Sequence, residues 1–137
     1  MDFIAYLKAL KPKDWEVMVT DKWTVKDLVA HLIGWEKECS ETFDKVITTG
    51  KQPWFMETDN YDEFNARSVE FYNSYSPEEL IIEWQSWQSK LEGKIQTFGA
   101  DKIRKSKNLN YLFDEGVNNH NSHHLKQIQA ALKNKNT

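Results

Sequence analysis

Hydrophobic residues recur every three or four positions along most of the chain, which is the spacing of one face of an α-helix. The clearest stripe lies between Thr24 and Gly50. Thr24 and Asp27 have the spacing of a capping box at its start, and Gly50 is typical of a helix end. The pattern therefore predicts a long helix whose buried side comprises Val25, Leu28, Leu32, Trp35, Cys39, Phe43 and Val46.

A second strong helix is predicted from Ser76 to Gly99. The run Ser76-Pro77-Glu78-Glu79 combines a serine cap, a proline in the first turn and a glutamate three residues after the cap. Weaker patterns predict a short first helix over 2–10, a turn or two over 14–19, a third main helix over 60–73, and a last helix over 108–134. The polar run 100–107 is predicted to be a connector.

No segment has the alternation of a strand, so the sequence predicts an all-α fold. We expect a single domain over 1–137, an up-down four-helix bundle with one short additional helix. Gly34 weakens its helix, and its value is predicted to be close approach to a neighbouring helix or a ligand. The loop after Gly50 carries Trp54 and Phe55, which either pack over the end of the bundle or form the wall of a pocket.

Composition and charge narrow the classes of function. The 137 residues carry a net charge of -3 without a basic block, so nucleic acid is not an expected partner. No leader and no apolar run of membrane length are visible, which predicts a cytoplasmic protein without a membrane partner. The single cysteine, Cys39, excludes a disulfide within the chain and is expected to be a small buried residue and not a reactive thiol.

The histidines are the main anomaly of the pattern. His120 and His124 are four residues apart on the last predicted helix, at positions that a plain bundle would fill with leucine. His31 borders the apolar stripe of the long helix, whereas His123 is rotated toward a helix boundary or solvent. These histidines either line the core or a pocket, or His31, His120 and His124 hold one divalent metal ion.

Such a metal site leaves positions for water and substrate, and a bound ion could generate a nucleophile from water or a thiol. Polar neighbours that could orient ligands or substrate are Asn119, Asn121 and Gln127, although exposed helix surface is the simpler interpretation. Acid–base groups could come from Glu36 and Glu115. Serine-nucleophile, phosphate-loop and dithiol motifs are missing from the sequence. The residues expected to line a pocket are Trp35, Trp54 and Asn121.

Three motifs together resemble a known group of helical bundles. They are W-T-V-K-D-L-V-A-H-L-I-G-W-E over 23–36, D-E-F-N-A-R over 62–67, and H-N-S-H-H-L-K-Q-I over 120–128. Their order and spacing resemble the DinB-like (DinB/YfiT-like) four-helix-bundle superfamily, most closely its ClbS/DfsB branch. The resemblance implies a bundle, commonly homodimeric, whose divalent metal is held at the positions of His31, His120 and His124.

Three functions are to be weighed. Relatives include metal-dependent S-transferases and isomerases that use low-molecular-weight thiols, which suggests a detoxifying enzyme with Zn, Ni or Fe and a small-molecule substrate. The second is a noncatalytic, dimeric small-molecule-binding or scaffold protein. The third is a metal-independent hydrolase of the ClbS type, in which a carboxylate or histidine acts as general base.

Overall fold

The computed structural model of the chain describes residues 3–113 and 115–135, and it describes side chains over 3–112 and 123–134. Within these residues the fold is all-α, as predicted, and has no strand beyond an isolated bridge between Met18 and Thr24. The helices are α1 (Phe3–Lys8), α2 (Val25–Thr49), α3 (Asp62–Phe71), α4 (Pro77–Phe98), α5 (Ala100–Lys105) and α6 (Glu115–Lys135). Short 3-10 turns lie at Pro12–Glu16, Trp54–Met56 and Asn110–Phe113.

The two predicted capping boxes are present. The Thr24 hydroxyl accepts a hydrogen bond from the Asp27 backbone, and the Asp27 carboxylate accepts one from the Thr24 backbone, each at 3.1 Å. Ser76 and Glu79 form the same reciprocal pair at the start of α4. Gly50 ends α2 in the left-handed region at φ 69°, where glycine avoids the strain of a Cβ. Local sequence therefore sets where α2 begins and ends and where α4 begins.

The prediction of a connector over 100–107 is wrong, because Ala100–Lys105 forms α5. A single apolar side chain explains the difference: Ile103 is fully buried and packs with Phe43 and Leu109. The predicted last helix also begins later than expected, since a 3-10 turn over Asn110–Phe113 precedes α6. Isolated buried residues hold both segments against the end of the bundle.

The N-terminal half of α2 forms the centre of the core. Its side chains Val25, Leu28, Val29, Leu32 and Ile33 are almost completely buried, on more than one face of the helix. They are enclosed because α2 contacts α3, α4, α6 and the first 3-10 turn. A helix that is apolar around most of its circumference is expected to lie inside the fold. None of the described helices combines the length and apolarity needed to cross a membrane.

Helix α3 runs antiparallel to α2 and lies in close contact with it at Gly34. The Lys26 ammonium donates to the Asn73 carbonyl at 2.9 Å, and the Trp35 indole donates to the Asn65 side chain at 2.9 Å. A Cβ placed on Gly34 would collide with the Ser68 hydroxyl and lie 2.6 Å from the Ser68 Cβ. Gly34 therefore serves the close helix contact that the sequence predicted.

We expect Gly34→Ala to lower the free energy of unfolding by about 2 kcal/mol, since overpacking against Ser68 outweighs the gain in helix propensity. Gly93 on α4 is the matched control, because nothing lies within 4 Å of a Cβ built there. Gly93→Ala should raise the free energy of unfolding by about 1 kcal/mol. Urea titrations of both variants measure the difference.

In a Ser68→Gly background, Gly34→Ala should no longer be destabilising. The close-contact explanation is wrong if Gly34→Ala stabilises the otherwise unmodified protein as much as Gly93→Ala does.

Candidate functional site

His31 and His124 come together between two helices. His31 lies on α2 and is 3% exposed, whereas His124 lies on α6 and is half-buried. Their ring centroids are 4.9 Å apart in an edge-to-face arrangement. The ring centroid of Trp23 lies 4.9 Å from that of His31. The fold thus joins two of the three histidines that the sequence proposed as metal ligands.

Both rings of this pair are held through Nδ1. The Nδ1 of His31 lies 2.8 Å from the Leu28 carbonyl oxygen, and the Nδ1 of His124 lies 2.6 Å from the Gln127 Oε1. Because these oxygens accept hydrogen bonds, each Nδ1 carries the proton that it donates. Burial lowers the pKa of His124, an effect opposed by its bond to Gln127 and reinforced by His123. The lowered pKa favours the neutral form of His124, which is the form that binds metal.

The other predicted residues of this site are placed unequally. The side chains of His120 and Asn121 fall outside the described side chains, as do those of Asn119 and Glu115. His123 is exposed, with its ring 5.4 Å from that of His124. Among the side chains that the structure describes, no three histidines, cysteines or carboxylates form a group that could hold a metal. The described part of the site is the His31–His124 pair.

Trp35 and Trp54 form the centre of an aromatic cluster between α2, α3 and the loop that joins them. Their rings stack with centroids 5.9 Å apart, and Phe64 lies 4.4 Å from Trp35. The Trp54 indole also donates a 2.7 Å hydrogen bond to the Glu38 carboxylate. The loop after Gly50 therefore packs against the bundle, and Trp54 is held in a fixed orientation.

Trp54 also lines a groove of about 540 Å³ between α2 and α3. The sequence indicated Trp54 as a pocket residue but not the charged residues beside it. Their signal is a recurrence at four-residue intervals on α2, next to the apolar stripe. Neither His31 nor His124 is among the lining residues, which are Gly34, Lys37, Glu38, Glu41, Lys45, Trp54, Phe64, Arg67, Ser68, Phe71 and Tyr72.

Glu36 and Cys39 lie on another flank of α2. Burial, reinforced by Glu92, raises the pKa of Glu36 from its ordinary 4.5 to about 6. Burial, with smaller contributions from Glu36 and Glu38, raises the pKa of Cys39 to about 12. Five helical residues separate Glu36 from His31, a rotation of roughly 140°. Glu36 is therefore not directed to the histidine pair, and Cys39 is a protonated, half-buried thiol.

We expect Glu36→Gln to raise the free energy of unfolding above pH 6 by about 2 kcal/mol at most. A folded-state pKa above the unfolded value gives stability that is present below pH 4.5 and is lost as the pH rises through about 6. The variant and the unmodified protein should therefore converge in acid. Urea titrations at several pH values measure this, with Glu57→Gln at an exposed position as control. Equal stability of Glu36→Gln and the unmodified protein at pH 8 would exclude a buried charge.

We also expect Cys39 to react with iodoacetamide at pH 8 about a hundredfold or more slowly in the folded protein than in denaturant, because the thiolate is the reacting form. Mass spectrometry of timed samples measures both rates. Equal rates in the folded and denatured protein would show that the thiol is accessible and ionised.

Comparison with known proteins bears on the fold and its family. The chain matches the mycothiol maleylpyruvate isomerase N-terminal domain over residues 2–105, which span α1 to α5 and include His31. No curated protein and no solved structure gives a significant match. The predicted DinB-like superfamily is confirmed, whereas the ClbS/DfsB branch stays a prediction. The chain belongs to the family of the mycothiol maleylpyruvate isomerase N-terminal domain, within the DinB-like superfamily.

Proposed function

We propose that this protein binds a divalent metal ion, Zn, Ni or Fe, through His31, His120 and His124, and that it detoxifies small electrophiles. The observation that carries the proposal is the contact between His31 and His124, with each Nδ1 bonded to an oxygen acceptor. Membership of a family associated with mycothiol-related detoxification supports it. The reaction class is transfer of a thiol to the electrophile, or its hydrolysis.

The donor set fits such an ion. Two imidazoles on separate helices use Nδ1 for hydrogen bonds, so Nε2 is the atom of each that would bind a metal, and imidazole nitrogen suits Zn, Ni and Fe. The Leu28 carbonyl and the Gln127 amide fix the tautomer and orientation of the rings, as hydrogen-bond acceptors behind metal-binding histidines do. His120 is one helical turn before His124, which is the spacing at which two imidazoles share a metal.

The protein's own residues would hold and shield the site. When bound, the ion would supply a Lewis acid that lowers the pKa of a water or thiol ligand. His31 is almost completely buried and the Trp23 ring lies 4.9 Å from it, so its side of the proposed site is shielded from water. The family name joins a thiol, mycothiol, to an isomerase, which supports a low-molecular-weight thiol as the nucleophile. We also propose that the protein is a homodimer, because DinB-like bundles, which it resembles, are commonly homodimeric.

A noncatalytic binding protein is the second candidate function. It is favoured by the edge-to-face packing of His31 and His124, because two histidines with bonded Nδ1 atoms can also serve as satisfied residues of a pocket. Such a protein binds small molecules without a metal. Metal binding therefore separates the two functions, and turnover that survives exhaustive chelation would favour a metal-independent hydrolase instead.

We expect the untagged protein to bind Zn²⁺ or Ni²⁺ with one ion per chain. His31→Ala, His120→Ala and His124→Ala should each weaken metal affinity by about a hundredfold or more, because each removes a ligand. His123→Ala is the matched control, since His123 is exposed and adjacent to His124. Isothermal titration calorimetry measures the affinities, and elemental analysis of protein purified without chelator measures the bound metal.

Gln127→Leu tests the hydrogen bond behind His124. Loss of this acceptor should weaken metal affinity by roughly tenfold to a hundredfold. The proposal fails if the unmodified protein has no affinity for added Zn²⁺ or Ni²⁺, or if His123→Ala reduces affinity as much as His124→Ala.

A further inference from the structure

We propose that the groove between α2 and α3 is a second binding site, separate from the histidine pair, for a small organic anion that carries a flat apolar ring. The proposal is independent of metal binding, because neither His31 nor His124 lines the groove.

The size and construction of the groove suit a small molecule. Its volume of about 540 Å³ lies in the range of ligand pockets, roughly 300–1,000 Å³. One wall is a stripe of α2 that includes Glu41 and Lys45, and the opposite wall is a stripe of α3. The tight contact of Gly34 with Ser68 fixes the spacing of the two helices beneath it. The groove therefore lies on a pair of helices in tight contact.

Aromatic rings supply its apolar surface. Trp54 is held by its stack on Trp35 and its hydrogen bond to Glu38. The orientation of its flat ring is therefore fixed before a ligand binds. Phe71 lies on the α3 wall and remains 57% exposed. A large exposed aromatic at the edge of a groove suits a contact with a flat ligand. These rings favour a planar apolar group in the ligand.

The charges favour an acidic group. Three cations line the groove, Lys37, Lys45 and Arg67, against the carboxylates of Glu38 and Glu41, in a protein with a net charge of -3. Glu38 already accepts hydrogen bonds from the Trp54 indole and the Thr42 hydroxyl. In the described part of the chain, the observed salt bridges join Lys94 to Asp44 and Arg104 to Asp101, and neither involves a groove cation.

Arg67 is the residue expected to determine which kind of acidic group the groove binds. Its guanidinium can donate two parallel hydrogen bonds to a carboxylate, which a lysine cannot do. Lys37 is partly engaged, with its ammonium 4.8 Å from the centre of the Phe71 ring. Arg67 and Lys45 line the same groove as Trp54 and Phe71, so one ligand could contact both the cations and the aromatic rings. The class of ligand is therefore an aromatic carboxylate.

The test uses 2-naphthoate as the probe and 2-naphthamide as its uncharged counterpart. We expect 2-naphthoate to bind at one site, and to bind about tenfold or more tightly than the amide, because the charge-assisted bonds to Arg67 and Lys45 are lost with the amide. Isothermal titration calorimetry gives both affinities, and the change in tryptophan fluorescence reports the contact with Trp54.

Arg67→Gln should weaken the binding of 2-naphthoate by about tenfold and leave the binding of 2-naphthamide unchanged. Lys45→Gln, also at an exposed position, should act in the same direction. Arg104→Gln is the matched control, since Arg104 lies on α5 and not in the groove, and it should not change binding. Circular dichroism confirms that each variant is folded.

The proposal is overturned if 2-naphthoate does not bind at millimolar concentration, if the amide binds equally well, or if Arg104→Gln has the effect of Arg67→Gln. Loss of 2-naphthoate binding in His31→Ala, with the fold intact, would place the ligand at the histidine pair and also overturn it. If the protein binds metal but does not bind 2-naphthoate, the groove proposal is wrong and the proposed function is unaffected.

Discussion

The enclosure of the N-terminal half of α2 is the constraint on which the rest of the structure depends. Its side chains from Val25 to Ile33 are buried on several faces, so neighbouring elements must cover it from different directions. Burial of large aliphatic side chains contributes about 1.5–3 kcal/mol each, which makes this segment a major source of stability. The same burial forces any polar group on it to find a partner. His31 does so through the Leu28 carbonyl, and its ring is consequently fixed.

One helix thereby supports three chemically different surfaces. The flank of α2 at His31 meets α6, the flank at Gly34 meets α3 and borders the groove, and the flank at Glu36 approaches Glu92 on α4. Around the axis of α2, Gly34 is rotated by roughly 60° and Glu36 by roughly 140° from His31, which separates these surfaces within a short segment. The proposed metal site and the proposed anion site can therefore share a scaffold without sharing side chains.

The parts of the fold that sequence predicts are those set by local chemistry. Thr24 with Asp27 and Ser76 with Glu79 define helix starts through hydrogen bonds within a single turn. Helix α5 was missed because Ile103 is the only buried residue in a polar run, and one residue has no periodicity to detect. The His31–His124 pair followed from helical spacing together with the resemblance to DinB-like bundles. The groove could not be predicted from helical spacing, because it is created by the pairing of α2 with α3.

The fold places His31 against His124 with each Nδ1 bonded to an oxygen acceptor, which makes Nε2 the proposed metal-binding atom of both rings. Nitrogen-15 NMR of the histidine rings in the metal-free protein at neutral pH tests it most directly. We expect the Nδ1–H tautomer for both residues and nuclear Overhauser contacts between their ring protons. An Nε2–H tautomer for either histidine, or the absence of those ring contacts in a folded sample, would contradict it.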